Sequence, residues 1–147
     1  MKKLNYPRLF LAALVMAIVF VIAEFIVKGI ASVAFGISEE KLLENANLTL
    51  SGFRYHVINI LYLYLICCLA MWLYASLLSR YTTPKHSVFA TVVFFLMLVL
   101  LVATNIVNIG LIPFAAGLAS VVFNVLELTP AIIVGASVYS PESDSNQ

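Results

Sequence analysis

Four long apolar runs occupy most of this 147-residue chain, and each is long enough to cross a membrane. A membrane-spanning helix needs about 20 consecutive, predominantly apolar residues. Backbone groups inside a bilayer have no water to bind, so a spanning run must satisfy its own hydrogen bonds as a helix. We therefore predict an all-α fold, a bundle of four transmembrane helices. The predicted spans cover roughly residues 9–34, 57–78, 88–109 and 114–138.

The composition supports the same interpretation and limits the number of domains. Hydrophobic residues make up 63% of the chain and charged residues 10%, and the mean hydropathy is +1.07. So little polar surface is incompatible with a soluble globule. We predict one membrane domain, residues 1–139, followed by a polar cytoplasmic tail, residues 140–147. The net charge of +1 and the lack of a basic stripe argue against nucleic acid as a partner.

The distribution of basic residues predicts the orientation of the bundle. Cytoplasmic loops of membrane proteins retain Lys and Arg. Most basic residues flanking the spans fall at the end that holds both termini: Lys2, Lys3, Arg8, Arg80 and Lys85. Only Lys41 and Arg54 flank the spans at the other end. Both termini are therefore predicted to be cytoplasmic.

The first run has a second interpretation, as a signal peptide. Lys2 and Lys3 precede an apolar stretch, and Val21–Ala23 is a passable cleavage site. Apolar character continues past Glu24 as far as Phe35, however, so we expect the segment to be retained as a helix. Cleavage stays open as the alternative.

The last run carries its small and polar residues on one helical face. At 3.6 residues per turn this face collects Gly117, Ser120, Asn124, Glu127, Ala131 and Gly135. The other face is mostly bulky: Leu118, Val121, Val122, Val125, Leu128, Ile132 and Ile133. Small residues allow close helix approach and polar ones hydrogen-bond across the contact. We expect the first face to meet protein and the second to meet lipid, with a kink at Pro130.

The first run contains an acid and a base one helical turn apart. Glu24 precedes Lys28 by four residues, which is the more favourable order for an ion pair on a helix. Each charge alone would cost about 3 kcal/mol near the centre of a bilayer. We therefore predict that the two side chains pair.

Depths along the predicted helices bring five polar residues into one descending column. With a rise of about 1.5 Å per residue, Lys28 and Asn105 lie roughly 10 Å below the outer surface, Glu24 and Asn124 roughly 16 Å, and Glu127 roughly 20 Å. If the polar faces meet, the outer half of the bundle has a polar interior. The candidate intramembrane polar site is Glu24, Lys28, Asn105, Asn124 and Glu127.

Two functions from different classes compete for this site. In the first, the polar residues hold helices or a partner subunit together, and the protein has a structural, assembly or accessory role. In the second, an ionisable group inside a bilayer marks a proton, ion or ligand site, and the protein is a small proton-coupled transporter or ligand-binding protein using Glu127 and Glu24. The expected partners are the lipid bilayer and a membrane protein or a second copy of the chain.

Catalysis, cofactors and metals are not expected. The sequence has no Ser/His/Asp set, phosphate-binding loop or cluster with metal-ligand spacing. Cys67 and Cys68 are adjacent, which is not the spacing of a redox pair, and are interpreted as apolar filling.

Two short motifs resemble a known group of proteins. Residues 24–29, EFIVKG, and a small-residue last helix with Asn124, Glu127 and Gly135 resemble small uncharacterised bacterial four-helix membrane proteins. The resemblance implies a bacterial cytoplasmic membrane protein and brings no established activity. Those relatives are expected to have His-Gly at the position of Lys28-Gly29. Small multidrug exporters are similar in having four spans and a Glu in the first helix. They are shorter, however, and lack the Glu and Pro that the last helix of this chain carries at Glu127 and Pro130.

Overall fold

The computed structural model describes residues 4–35, 53–81 and 83–139, and these residues form four α-helices. The helices are α1 (Tyr6–Phe35), α2 (Phe53–Leu78), α3 (Pro84–Asn108) and α4 (Phe114–Val138). Each is long and apolar enough to cross a membrane, and the described residues contain no strand. The predicted all-α four-helix bundle is confirmed. The predicted polar tail, residues 140–147, lies outside the described residues.

Proline and glycine set the helix ends around the two short connections. Pro84 occupies the first turn of α3, where a missing N–H is harmless, after an extended Thr83. After α3, Gly110 has a φ of +76°, a conformation that favours glycine, and α4 begins directly after Pro113. These residues produce a reversal short enough to keep α3 and α4 antiparallel neighbours.

The helices are arranged in the order α1, α2, α3, α4 around the bundle. Helix α4 packs most extensively against α1 and next against α3, whereas α2 bridges α1 and α3. Within the described residues α1 and α3 do not meet, and α2 touches α4 only slightly. We term the end that holds Asn5 and Tyr139 the termini end, and the opposite end the Gly110 end.

The hydrophobic core lies mainly in the termini half of the bundle. It is built from the first half of α1, the second halves of α2 and α4, and the first half of α3. Its most completely buried members are Ala12, Ala13, Met16, Cys67, Ala70, Met71, Ala131 and Ile132. At the Gly110 end large apolar side chains such as Phe25, Val33 and Phe114 are mostly exposed, with exposed fractions of 75%, 91% and 74%. Among the described residues, packing is therefore tighter in the termini half than at the Gly110 end.

The small and polar face of α4 turns inward, as predicted. Gly117, Glu127, Ala131 and Gly135 are buried, and Leu118, Val122 and Ile133 on the opposite face are exposed. The prediction is wrong for Leu128 and Ile132, which are also buried. Because α4 packs against both α1 and α3, it buries a wider arc than one contact would. The helix runs through Pro130 without interruption.

Candidate functional site

Glu24 and Lys28 form the predicted ion pair on α1. The Lys28 ammonium lies 2.6 Å from a carboxylate oxygen of Glu24. The pair is not enclosed, because 33% of the Glu24 side chain and 45% of the Lys28 side chain remain exposed. The predicted polar interior is therefore wrong at these two residues, which lie at the edge of the bundle.

Helices α1 and α2 contact each other in the termini half. The Tyr64 hydroxyl of α2 donates a hydrogen bond to the Phe10 carbonyl of α1, at 3.4 Å. The Met71 sulfur of α2 lies beside Gly135 of α4, where Ala12 and Met16 of α1 also pack.

Glu127, on α4, is the third charged residue at this site. Its side chain is buried, with 6% of the residue exposed, and it lies close enough to Glu24 and Lys28 for the charges to interact. The burial follows from its position on the inward face of α4, where α4 packs against α1. We term Glu24, Lys28 and Glu127 the charged cluster.

The two asparagines of the predicted site do not bond across helices. The Asn124 amide donates to the Ser120 carbonyl at 2.8 Å, and the exposed Asn105 amide donates to the Leu101 carbonyl at 2.9 Å. Both acceptors lie one turn earlier on the same helix, where a short polar side chain reaches the backbone easily. These bonds do not connect the helices. Asn124 stays half-buried near Glu127, and Asn105 lies outside the charged cluster.

Sequence reasoning missed a buried polar pair on α3. Ser87 and Thr91 are both fully buried in the termini half, and the Thr91 hydroxyl donates to the Ser87 carbonyl at 2.8 Å. Among the described residues the Ser87 hydroxyl has no hydrogen-bond partner. The available signal was the recurrence of two small polar residues one turn apart in an apolar run.

Two clefts lie away from the charged cluster. The smaller, about 130 Å³, lies between α3 and α4 at the Gly110 end, beside Ala103, Val107 and Gly117. The larger, about 550 Å³, runs along α3 from Tyr81 and His86 to Met97. In the described part of the chain, no group of three or more His, Cys, Asp or Glu residues is placed to hold a metal ion.

Comparison with protein-family models, curated proteins and solved structures finds no match to this chain. Function is therefore inferred from the residues and their geometry.

Proposed function

We propose that this chain is an integral membrane protein with a structural, assembly or accessory role, and that the charged cluster contacts a membrane-protein partner. The observation that supports the proposal is the half-exposed Glu24–Lys28 pair on a helix long enough to span a bilayer. Charged side chains inside membranes rarely face lipid and usually meet protein or water. A partner helix beside α1 would cover the exposed part of the pair.

The proposal includes a location and an orientation. We place the protein in a bacterial cytoplasmic membrane, with both termini in the cytoplasm. The location is supported by the resemblance of residues 24–29 and of the last helix to small bacterial four-helix membrane proteins. The orientation is supported by three exposed basic residues at the termini end, Arg8, Arg80 and Lys85.

The exposed charges of the charged cluster limit the kind of partner. Glu24 and Lys28 form an exposed ion pair without net charge, so either a different membrane protein or a second copy of this chain fits this surface. A partner with a basic residue or a hydrogen-bond donor at this depth would complement it.

Photo-crosslinking in native membranes tests the proposal. A photoreactive phenylalanine analogue replaces Phe25, which is exposed on α1 beside the charged cluster; the same analogue at Leu14, also exposed on α1, is the matched control. We expect a discrete cross-linked product from position 25 that Glu24→Gln weakens, and none from position 14. Products of equal yield at both positions would contradict the proposal, as would a product from position 25 that Glu24→Gln does not weaken.

A second candidate function is a small proton-coupled transporter or ligand-binding protein. The observation in its favour is the burial of Glu127 next to two further charged residues. A buried carboxyl in a membrane protein can exchange a proton as its surroundings change. Glu127→Gln separates this function from the structural one, because it removes the ionisable group and leaves a side chain of similar shape.

A further inference from the structure

The larger cleft has a polar mouth and an apolar body. Tyr81 and His86 lie at its termini end, and Phe89, Ala90, Val93, Phe94 and Met97 line the rest. From His86 to Met97 it follows α3 for roughly 16 Å. Its volume of about 550 Å³ lies within the range of ligand-binding clefts, roughly 300–1,000 Å³. An occupant must therefore be polar at one end and apolar along its length.

Two basic residues adjoin the mouth of the cleft along the chain. Arg80 precedes Tyr81 and Lys85 precedes His86, and both are exposed. Among the described residues the only acids are Glu24 and Glu127, which belong to the charged cluster on α1 and α4. The two positive charges at the mouth thus have no neighbouring carboxylate in the described part of the chain.

Contacts among Tyr81, Thr83 and His86 fix the aromatic residues at the mouth and leave two of their polar groups without a partner. The Thr83 hydroxyl forms a 2.8 Å hydrogen bond with Nδ1 of His86, and the Tyr81 ring meets the His86 ring edge-on at 6.2 Å. Within the described residues, Nε2 of His86 and the Tyr81 hydroxyl have no hydrogen-bond partner. The Tyr81 hydroxyl can donate a hydrogen bond, and His86 Nε2 can donate one in the tautomer whose Nδ1 accepts from Thr83.

The body of the cleft lies along an exposed side of α3. Phe89, Val93 and Met97 follow one another at four-residue intervals along α3, and their exposed fractions are 69%, 40% and 62%. Side chains at this spacing form a continuous stripe on a helix. The stripe begins one turn after the charged mouth, so an acyl chain lying along it would bring its headgroup to Arg80 and Lys85.

We propose that this cleft binds one anionic phospholipid, with the phosphate at the mouth and an acyl chain along the stripe. Basic residues next to membrane spans attract anionic headgroups. A zwitterionic phospholipid has a positive group in its headgroup. That group would be repelled by Arg80 and Lys85, so such a lipid fits the site less well. This lipid site is independent of the charged cluster and of the proposed function.

Native mass spectrometry of the full-length protein in detergent tests the site, with phosphatidylglycerol and phosphatidylcholine as probes. We expect one phosphatidylglycerol to be retained in preference to phosphatidylcholine. Arg80→Gln and Lys85→Gln should each weaken its binding about fivefold, the effect of one basic residue near an anionic lipid surface. Arg8→Gln removes a charge at the same end but outside the cleft, and should leave the affinity unchanged.

A second pair of variants tests the body of the cleft without changing any charge. Ala90→Trp fills the cleft and should abolish retention of phosphatidylglycerol, with Ala90→Leu as a milder substitution should the larger one prevent folding. Ala115→Trp, at an exposed position on α4, is the control and should have no effect. The proposal would be overturned if Arg8→Gln weakened binding as much as the other two charge variants, or if both Ala90 variants bound phosphatidylglycerol normally. Equal retention of the two lipids, or displacement of the lipid by inorganic phosphate, would also overturn it.

Discussion

Gly135 of α4 lies so close to Met16 of α1 that an added Cβ atom would be 2.9 Å from the Met16 Cβ. The same atom would lie 3.1 Å from the Met71 sulfur of α2 and 3.2 Å from the Ala12 carbonyl. Helices α1, α2 and α4 thus meet at a position where α4 has a glycine and therefore no side chain. Close approach of this kind stabilises helix packing in membranes, where water does not drive association.

Gly135→Ala should destabilise the protein. Because the nearest neighbours of the new methyl group include backbone and Cβ atoms, they cannot move aside as a flexible side chain would. Overpacking of this kind costs about 1–3 kcal/mol. The measurement is the midpoint of thermal unfolding in detergent, with Gly29→Ala as control. An added Cβ at Gly29 has nothing within 4 Å, so this variant should unfold at the parental temperature or above. An equal loss from both substitutions would contradict the packing at Gly135.

The ring of Tyr139 should contribute more to the stability of the protein than its hydroxyl does. The hydroxyl accepts a long hydrogen bond, 3.4 Å, from the Asn5 backbone, whereas the buried ring meets the Tyr74 ring edge-on at 6.0 Å. We expect a loss below about 1 kcal/mol for Tyr139→Phe. For Tyr139→Leu we expect a further loss of about 0.5–1.5 kcal/mol. Thermal unfolding measures both, and the exposed Tyr6→Phe serves as control. A larger loss for Phe than for Leu would show that the hydroxyl dominates.

Glu24 and Lys28 should be energetically coupled. Neutralising one residue leaves the other charge without its 2.6 Å partner, so each single variant should be less stable than the double variant Glu24→Gln, Lys28→Met. Contacting residues typically show interaction energies of roughly 0.5–3 kcal/mol in a double-mutant cycle. Additive losses would remove the ion pair as a source of stability.

The proposed orientation predicts which positions a membrane-impermeant thiol reagent reaches. In a background with Cys67 and Cys68 replaced by Ala, Ser79→Cys lies at the termini end and Leu111→Cys at the Gly110 end, and both positions are exposed. Reagent added to intact cells should label position 111 and leave position 79 unlabelled until the membrane is opened. The reverse pattern would invert the topology.

The fold was accessible from the sequence because hydropathy and helical periodicity are local properties. They predict four spans, and they identify the inward face of α4 from Gly117, Ala131 and Gly135. They also predict the Glu24–Lys28 pair, since its partners lie one turn apart. These features depend on neighbours along the chain, which a sequence displays directly.

The geometry of the candidate site was harder to predict from the sequence, because it depends on how the helices pack against one another. Depths counted from the helix ends placed Asn105 and Lys28 in a common interior, whereas both side chains are exposed. Polar residues were also expected to bond between helices, whereas Asn105 and Asn124 bond their own backbone. Ser87 and Thr91 are buried because the termini half packs tightly, and no local pattern predicts which half that is.

Substitutions at Glu127 separate loss of ionisation from loss of shape. In the structural role, Glu127→Gln should retain nearly parental stability, because Gln keeps the shape and the hydrogen-bonding capacity. Glu127→Leu should lose roughly 0.5–3 kcal/mol, since it removes every polar group at a buried position beside Glu24 and Lys28. Thermal unfolding of the two variants beside the parent measures this difference.

Proton movement across reconstituted vesicles tests the structural role of Glu127 most directly. A pH-sensitive dye inside the vesicles follows protons under an imposed pH gradient, for the parent, for Glu127→Gln and for protein-free vesicles. The structural role predicts the same slow proton leak in all three, with Glu127→Gln still folded. Faster proton movement in the parent that is absent from Glu127→Gln would contradict it and establish Glu127 as the proton-carrying group of a transporter.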